Sequence, residues 1–191
     1  MSSDSEWRLL EAHTLFRNPH LEVRQEKVAI GTEIRNWTVV RRKKAVVICP
    51  MTQEGRFVLI HQARIPVQKW LWEFPAGQVD DSMDPDLKTV RETALRELTE
   101  ESGYELATNG ELMGLGHYFA SPGFTDEQQY LFLARPVHAN GKGARIDTSE
   151  TIAESREFTL EELRSMMAEN IIQDANTLAL FARLCARGLI G

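Results

Sequence analysis

The chain has 191 residues, 42% apolar and 26% charged, with a net charge of −6. That length and balance describe one folded domain, or one with a small appendage, and exclude a disordered or fibrous chain. The negative charge argues against general binding to nucleic acid or anionic membrane, the opening "MSSDSEWRLL" lacks the basic and apolar regions of a signal peptide, and the longest apolar run, "AVVICPM" from Ala45, is too short to span a bilayer. A cytosolic protein is expected, with Cys49 and Cys185 as reduced thiols in apolar surroundings.

From Leu21 to Val67 the text is strand-like. "LEVRQEKVAI", "EIRNWTVVRR", "KAVVICP" and "RFVLIHQ" are split by Gly31-Thr32 and by Thr52 to Gly55, which predicts antiparallel pairing. "WLWEFPAGQVDD" and an acidic loop follow. A helix is then expected from about Pro85 to Ser102, with Asp84 as N-cap, Pro85 at the first position and Gly103 as the stop. Further strands are expected around "LMGLGHYFA" and "QYLFLARPV". The tail from Phe158 predicts two helices, the second with Leu178, Phe181 and Leu184 on one face. Mixed strands and helices in this order point to an α/β or α+β sandwich.

The first helix ends in "RELTEESGY", which crowds Glu97, Glu100 and Glu101 where the helix dipole disfavours negative charge. At about 100° per residue, Leu87, Val90, Ala94 and Leu98 form an apolar stripe. Glu101 falls at its edge, with Glu97 and Glu100 fanned beside it. Arg96 is spaced to pair with Glu92 and Glu100 but cannot neutralise the whole fan. A carboxylate turned toward a core must be paired, protonated or bound to metal. Three carboxylates on one rigid helix suit a hard cation such as Mg²⁺, which takes oxygen ligands and shares its remaining positions with water and phosphate. On the helix alone, a solvated acidic face is an equal reading.

"EFPAGQVD" followed by "RELTEESGY" resembles the signature of the Nudix hydrolases, G-x5-E-x7-R-E-U-x-E-E-x-G-U with U aliphatic or aromatic. Arg96, Glu97, Leu98, Glu100, Glu101, Gly103 and Tyr104 match its second half. Gly77 is the natural first glycine, but eighteen residues separate it from Arg96 where the usual box has thirteen. The usual first glutamate position falls on Lys88 counting back and on Met83 counting forward; Asp80, Asp81, Asp84 and Asp86 are the nearby acids. Around the box, Gln62-Ala63-Arg64-Ile65-Pro66, Trp72-Glu73-Phe74-Pro75-Ala76-Gly77, the Ser121-Pro122-Gly123-Phe124 turn and the closing "ENIIQDANTLALFARL" resemble elements of the ADP-ribose and nucleoside-diphosphate-sugar pyrophosphatases.

The resemblance implies a Nudix α/β/α sandwich with a mixed sheet and a small N-terminal antiparallel β subdomain. Residues 1–43 would form that subdomain and a dimerisation region, and residues 44–191 the hydrolase domain. It implies a Mg²⁺-dependent pyrophosphohydrolase, with Mn²⁺ as a substitute, that splits ADP-ribose or a related nucleoside diphosphate sugar. The alternative is a catalytically silent Nudix domain kept for nucleotide binding or regulation. Glu97, Glu100 and Glu101, with the Ala76 carbonyl, would hold the cations, and Arg96 would orient the glutamates. Arg64 would clamp the diphosphate, with a fork of donors suited to phosphate oxygens. Trp37 would stack on the nucleobase, although a tryptophan in a strand more often simply packs, and Phe124 would contact the substrate. The turn at Ser121 is expected to be type II, with a positive φ at Gly123. The general base would be Glu150 or Glu154, in the polar segment "RIDTSETIAESREFTLEEL", with Glu150 preferred because it precedes Ile152 in the loop while Glu154 is closer to the strand that follows, and a homodimer is expected.

Overall fold

The computed structural model describes residues 7–79, 83–144 and 151–191. The first three strands, β1 (Trp7–Arg17), β2 (Leu21–Ile30) and β3 (Glu33–Arg42), form an antiparallel sheet with β2 in the middle. β1 lies outside the strand-like region expected from sequence. All eleven of its residues are exposed, Trp7, Leu15 and Phe16 among them, so no buried face imposes the alternation by which strands are read.

The second sheet carries the core. Its main path runs β10 (Ile152–Phe158), β5 (Phe57–Arg64), β4 (Ala45–Thr52), β9 (Gln128–Ala139), β8 (Tyr104–Phe119), while β6 (Lys69–Glu73) pairs with β5 and β7 (Ala76–Gln78) with β4. β4 and β9 are parallel and the other pairs antiparallel, so the sheet is mixed. β4 is buried on both faces, which is why it reads as a continuous apolar run. Val46 and Ile48 pack toward α1 (Leu87–Ser102), together with Val90, Ala94 and Leu98. Val47 and Cys49 face the other way, into a cluster with Leu163 of α2 (Leu160–Ala168) and Leu180 and Leu184 of α3 (Ala175–Ala186). Helices on both faces of a mixed sheet make the α/β/α sandwich that the resemblance implies.

Several local expectations change. The N-cap of α1 is Asp86, whose carboxylate accepts the Thr89 N–H at 2.7 Å; Asp84 and Pro85 precede the helix. The apolar stripe begins at Val90, since Leu87 is 69% exposed in the first turn. Thr177, Leu180 and Leu184 form the buried stripe of α3, Phe181 is half-buried, and Leu178 is exposed. Cys185 is exposed, whereas burial pushes the Cys49 thiol well up. The turn at Ser121 is not the type II turn expected: Ser121 O accepts from both Phe124 N and Thr125 N, and Gly123 is outside the positive-φ region that a type II turn requires there.

Candidate active site

The site forms where the C-terminal half of α1 meets the short strand β7. Asp86 and Gly103, the latter at φ 73°, fix the ends of α1 and hence its rotation over the sheet. That rotation puts Glu97 and Glu101, one turn apart, on the inward face: both are buried, and Glu100 is half-buried. Facing them, β7 is held in register to β4 by Val47↔Ala76 and Val46↔Gly77, and the Ile48 N–H donates to Pro75 O at 2.9 Å. The Ala76 N–H donates to Glu101 Oε2 at 2.7 Å. Gly77 is required by close approach. A Cβ there would lie 2.1 Å from the Glu97 carboxyl carbon.

Arg96 lies across two of the three glutamates, with Nη2 to Glu97 Oε1 at 2.7 Å and Nη1 to Glu100 Oε2 at 2.6 Å. The pairing with Glu100 is the one its spacing predicts; Glu97 takes the place expected of Glu92, which instead faces Lys88 at 3.7 Å. Among the described residues, no group of three carboxylate, histidine or cysteine side chains already converges at metal-ligand spacing. The donor set nevertheless fits a hard divalent cation. It consists of carboxylate oxygens, two of them on buried side chains, over a backbone cradle kept open by a glycine.

A cleft of about 320 Å³ opens beside this cradle, lined by Arg42, Arg64, Ala76, Gly77, Glu127 and Asp174, among others. Arg64 grips the buried Glu73, its Nε donating to Oε1 at 2.9 Å and its Nη2 to Oε2 at 2.5 Å. Burial works against the Arg64 charge, but the Glu73 bonds and the Asp174 and Glu101 carboxylates carry its pKa above the ordinary value. Burial, with the Asp174 charge added to it, raises the Glu73 carboxyl by more than Arg64 lowers it. Glu73 is a residue for which the sequence reading assigned no role.

A second cavity of about 490 Å³ brings Trp37 and Phe124 together, with Trp7, Arg41 and Asp126 also in its wall. The Trp37 indole N–H donates to Gly123 O at 3.0 Å and Val40 N to Phe124 O at 2.8 Å, so β3 and the Ser121 turn are fastened to each other while both rings stay half-exposed. Consecutive residues link the two cavities: Arg41 and Asp126 line the aromatic one, Arg42 and Glu127 the cleft. Arg41 donates to Glu26 at 2.8 Å and to Asp126 at 3.1 Å, which fixes this wall.

Of the two base candidates, Glu150 lies outside the described residues. Glu154 is exposed in β10, opposite His61. Its neighbour Ser155 donates to Ser102 O at 2.8 Å, at the end of α1. Strand alternation therefore sends Glu154 to the opposite face of the sheet from α1.

Comparison with known proteins agrees with this architecture. The NUDIX domain model matches residues 41–181. The chain is 35% identical over 139 residues to the methanol dehydrogenase activator of Bacillus methanolicus, and 32% identical over 139 residues to the ADP-ribose pyrophosphatase of Bacillus subtilis. Each match covers 73% of this chain and 70% of the relative. A solved structure described as an ADP compounds hydrolase superposes with a TM-score of 0.78 at 18% identity, covering 100% of both chains, which speaks for the fold. The chain belongs to the NUDIX domain family. Hydrolases of this family generally use a divalent metal.

Proposed function

We propose that the protein is a Mg²⁺-dependent pyrophosphohydrolase that splits ADP-ribose, or a closely related nucleoside diphosphate sugar, into a nucleoside monophosphate and a sugar phosphate. The observation that carries this reading is the cradle itself: Glu97 and Glu101 buried against Ala76 and Gly77, beside a cleft that contains Arg64. The ADP-ribose pyrophosphatase relatives support the substrate class.

In this reading Glu97, Glu100 and Glu101, with the Ala76 carbonyl, hold the cation, and Mn²⁺ substitutes for Mg²⁺. A bound cation supplies charge neutralisation of the diphosphate and a lowered pKa for the attacking water. The chain's own residues do the rest. Arg96 holds Glu97 and Glu100 in place. Arg64 is held by Glu73 through Nε and Nη2 and offers Nη1 to a diphosphate oxygen. Trp37 and Phe124 present ring faces to the nucleobase, where stacking is worth about 1–3 kcal/mol per base. Glu150 accepts the proton of the water. That choice over Glu154 rests on the sequence order and on Glu154 itself, whose strand position directs it to the other face. ADP-ribose yields AMP and ribose 5-phosphate with no covalent enzyme intermediate.

The working form is a cytosolic homodimer with no nucleic-acid or membrane partner. The fully exposed β1, with Trp7, Leu15 and Phe16 in the open, supports pairing through the N-terminal sheet. A regulatory, catalytically silent domain is the competing reading, favoured by the lengthened box and by the activator name of one relative. Both are tested by one screen for nucleoside monophosphate release from ADP-ribose, nucleotide sugars, dinucleoside polyphosphates and coenzymes with Mg²⁺. Release from ADP-ribose or a nucleotide sugar supports the hydrolase; binding without release from any compound supports the silent module.

A further inference from the structure

The first turn of α3, Asp174-Ala175-Asn176-Thr177, has no role in the proposed function, yet Asp174 and Asn176 line the cleft beside the cradle. Thr177 is completely buried, and its hydroxyl oxygen accepts the Phe74 N–H at 2.9 Å. The same hydroxyl donates to Asp174 Oδ2 at 2.7 Å, which turns its lone pairs toward Phe74. Asp174 in turn caps α3 by accepting the Thr177 N–H at 2.7 Å. Asn176 accepts a hydrogen bond from the Tyr118 hydroxyl, tying the same turn to β8.

Phe74 and Pro75 link β6 to Ala76, the first residue of β7, and so deliver the cradle. Proline has no N–H, so these three residues own two backbone donors, and both are committed: Phe74 N to Thr177 and Ala76 N to Glu101. We infer that Thr177 is a positioning residue for the cation site, fixing the Glu101 carboxylate through the Phe74-Pro75-Ala76 backbone. This rests on the proposed role of Glu101 as a metal ligand. Partners that hydrogen-bond a metal ligand directly, as the Ala76 N–H does, typically set metal affinity by about 10–100-fold; Thr177 acts one step further back, through Phe74, so its effect falls at the low end of that range. A helix cap that served α3 alone would need the Asp174–Thr177 N–H bond and not the hydroxyl contact to Phe74.

The test compares Thr177→Val, which keeps the shape and removes the hydroxyl, with Thr177→Ser, which keeps the hydroxyl. Amide hydrogen exchange is read by NMR on the metal-free full chain, and Mn²⁺ binding is read directly by electron paramagnetic resonance. In Thr177→Val the Phe74 and Ala76 amides should exchange at least about tenfold faster, with the amides in the middle of β4 unchanged, and Mn²⁺ affinity should fall by about tenfold, the low end of the range for direct partners of a ligand. Thr177→Ser should restore both. The inference is overturned if Phe74 alone loosens while Ala76 exchange and Mn²⁺ affinity stay at wild-type values, if β4 loosens equally, or if serine fails to rescue. Should Thr177→Val not fold, Thr177→Ala is read in the same way; failure of both to fold makes Thr177 a requirement of the fold and also overturns it. Neither readout needs substrate, so a protein that hydrolyses no nucleotide would refute the proposed function while leaving this result legible.

Discussion

Replacing Gly77 with alanine isolates the geometry of the cradle. The glycine φ is not positive, so alanine meets no backbone penalty. Its methyl group, however, would sit 2.1 Å from the Glu97 carboxyl carbon and 2.1 Å from Oε1. An ordinary contact needs about 3.5 Å, so the carboxyl must retreat by about 1.4 Å. Metal–ligand distances tolerate about 0.2 Å, so Glu97 cannot keep its place on a cation held by Glu101. Because the clashing atoms, Cγ at 2.7 Å among them, all belong to one flexible side chain and none to backbone, the cost to the fold falls at the low end of the overpacking range of about 1–3 kcal/mol, a few degrees in Tm for a chain of this size. Misplacement by about 1 Å costs on the order of 100-fold in rate. Gly77→Ala should therefore melt within about 5 °C of wild type, lose about 100-fold or more in kcat, and bind Mn²⁺ more weakly by calorimetry. Wild-type kcat and metal dependence would refute the argument, as would a chain that fails to fold, since the latter would mean Glu97 cannot yield.

Further expectations follow from the same geometry. Glu101→Gln keeps an oxygen to accept the Ala76 N–H and loses the charge, so it should fold normally by thermal melt yet lose most Mg²⁺-dependent turnover. Trp37→Ala and Phe124→Ala should each raise KM for an adenine substrate by roughly 5- to 150-fold, from about 1–3 kcal/mol of stacking, with a smaller change in kcat by steady-state assay. Glu150→Gln should lower kcat by about 10²–10⁴-fold with Mn²⁺ affinity unchanged, while Glu154→Gln stays near wild type; the reverse pattern would move the base into β10. Sedimentation at micromolar concentration should show a dimer, and an active monomer alone would remove the proposed role of the N-terminal sheet.

What could be read ahead of the structure follows where burial leaves a trace. Val46 to Cys49 face helices on both sides and so read as an unbroken apolar strand. Gly103 stops α1 because its left-handed φ of 73° suits glycine. Glu101 was legible as an inward carboxylate because helical spacing alone ties it to Ala94 and Leu98. The N-cap was misplaced by two residues because Asp84 and Asp86 flank one proline and both satisfy the local preference; only the Thr89 N–H distinguishes them. β1 escaped notice because it buries nothing within the chain. The Arg64–Glu73 fork and the Thr177–Phe74 bond depend on how β5, β6 and α3 dock, and no local period records a contact across 103 positions of sequence.

The most direct test of a cation-assisted water attack at this cradle is ³¹P NMR of ADP-ribose incubated with the protein in ¹⁸O-enriched water, with Mg²⁺ and with chelator. The account predicts AMP and ribose 5-phosphate only when Mg²⁺ is present, with one ¹⁸O entering a product phosphate per cleavage. Cleavage that persists in chelator, products without the label, or intact ADP-ribose at saturating Mg²⁺ would contradict it.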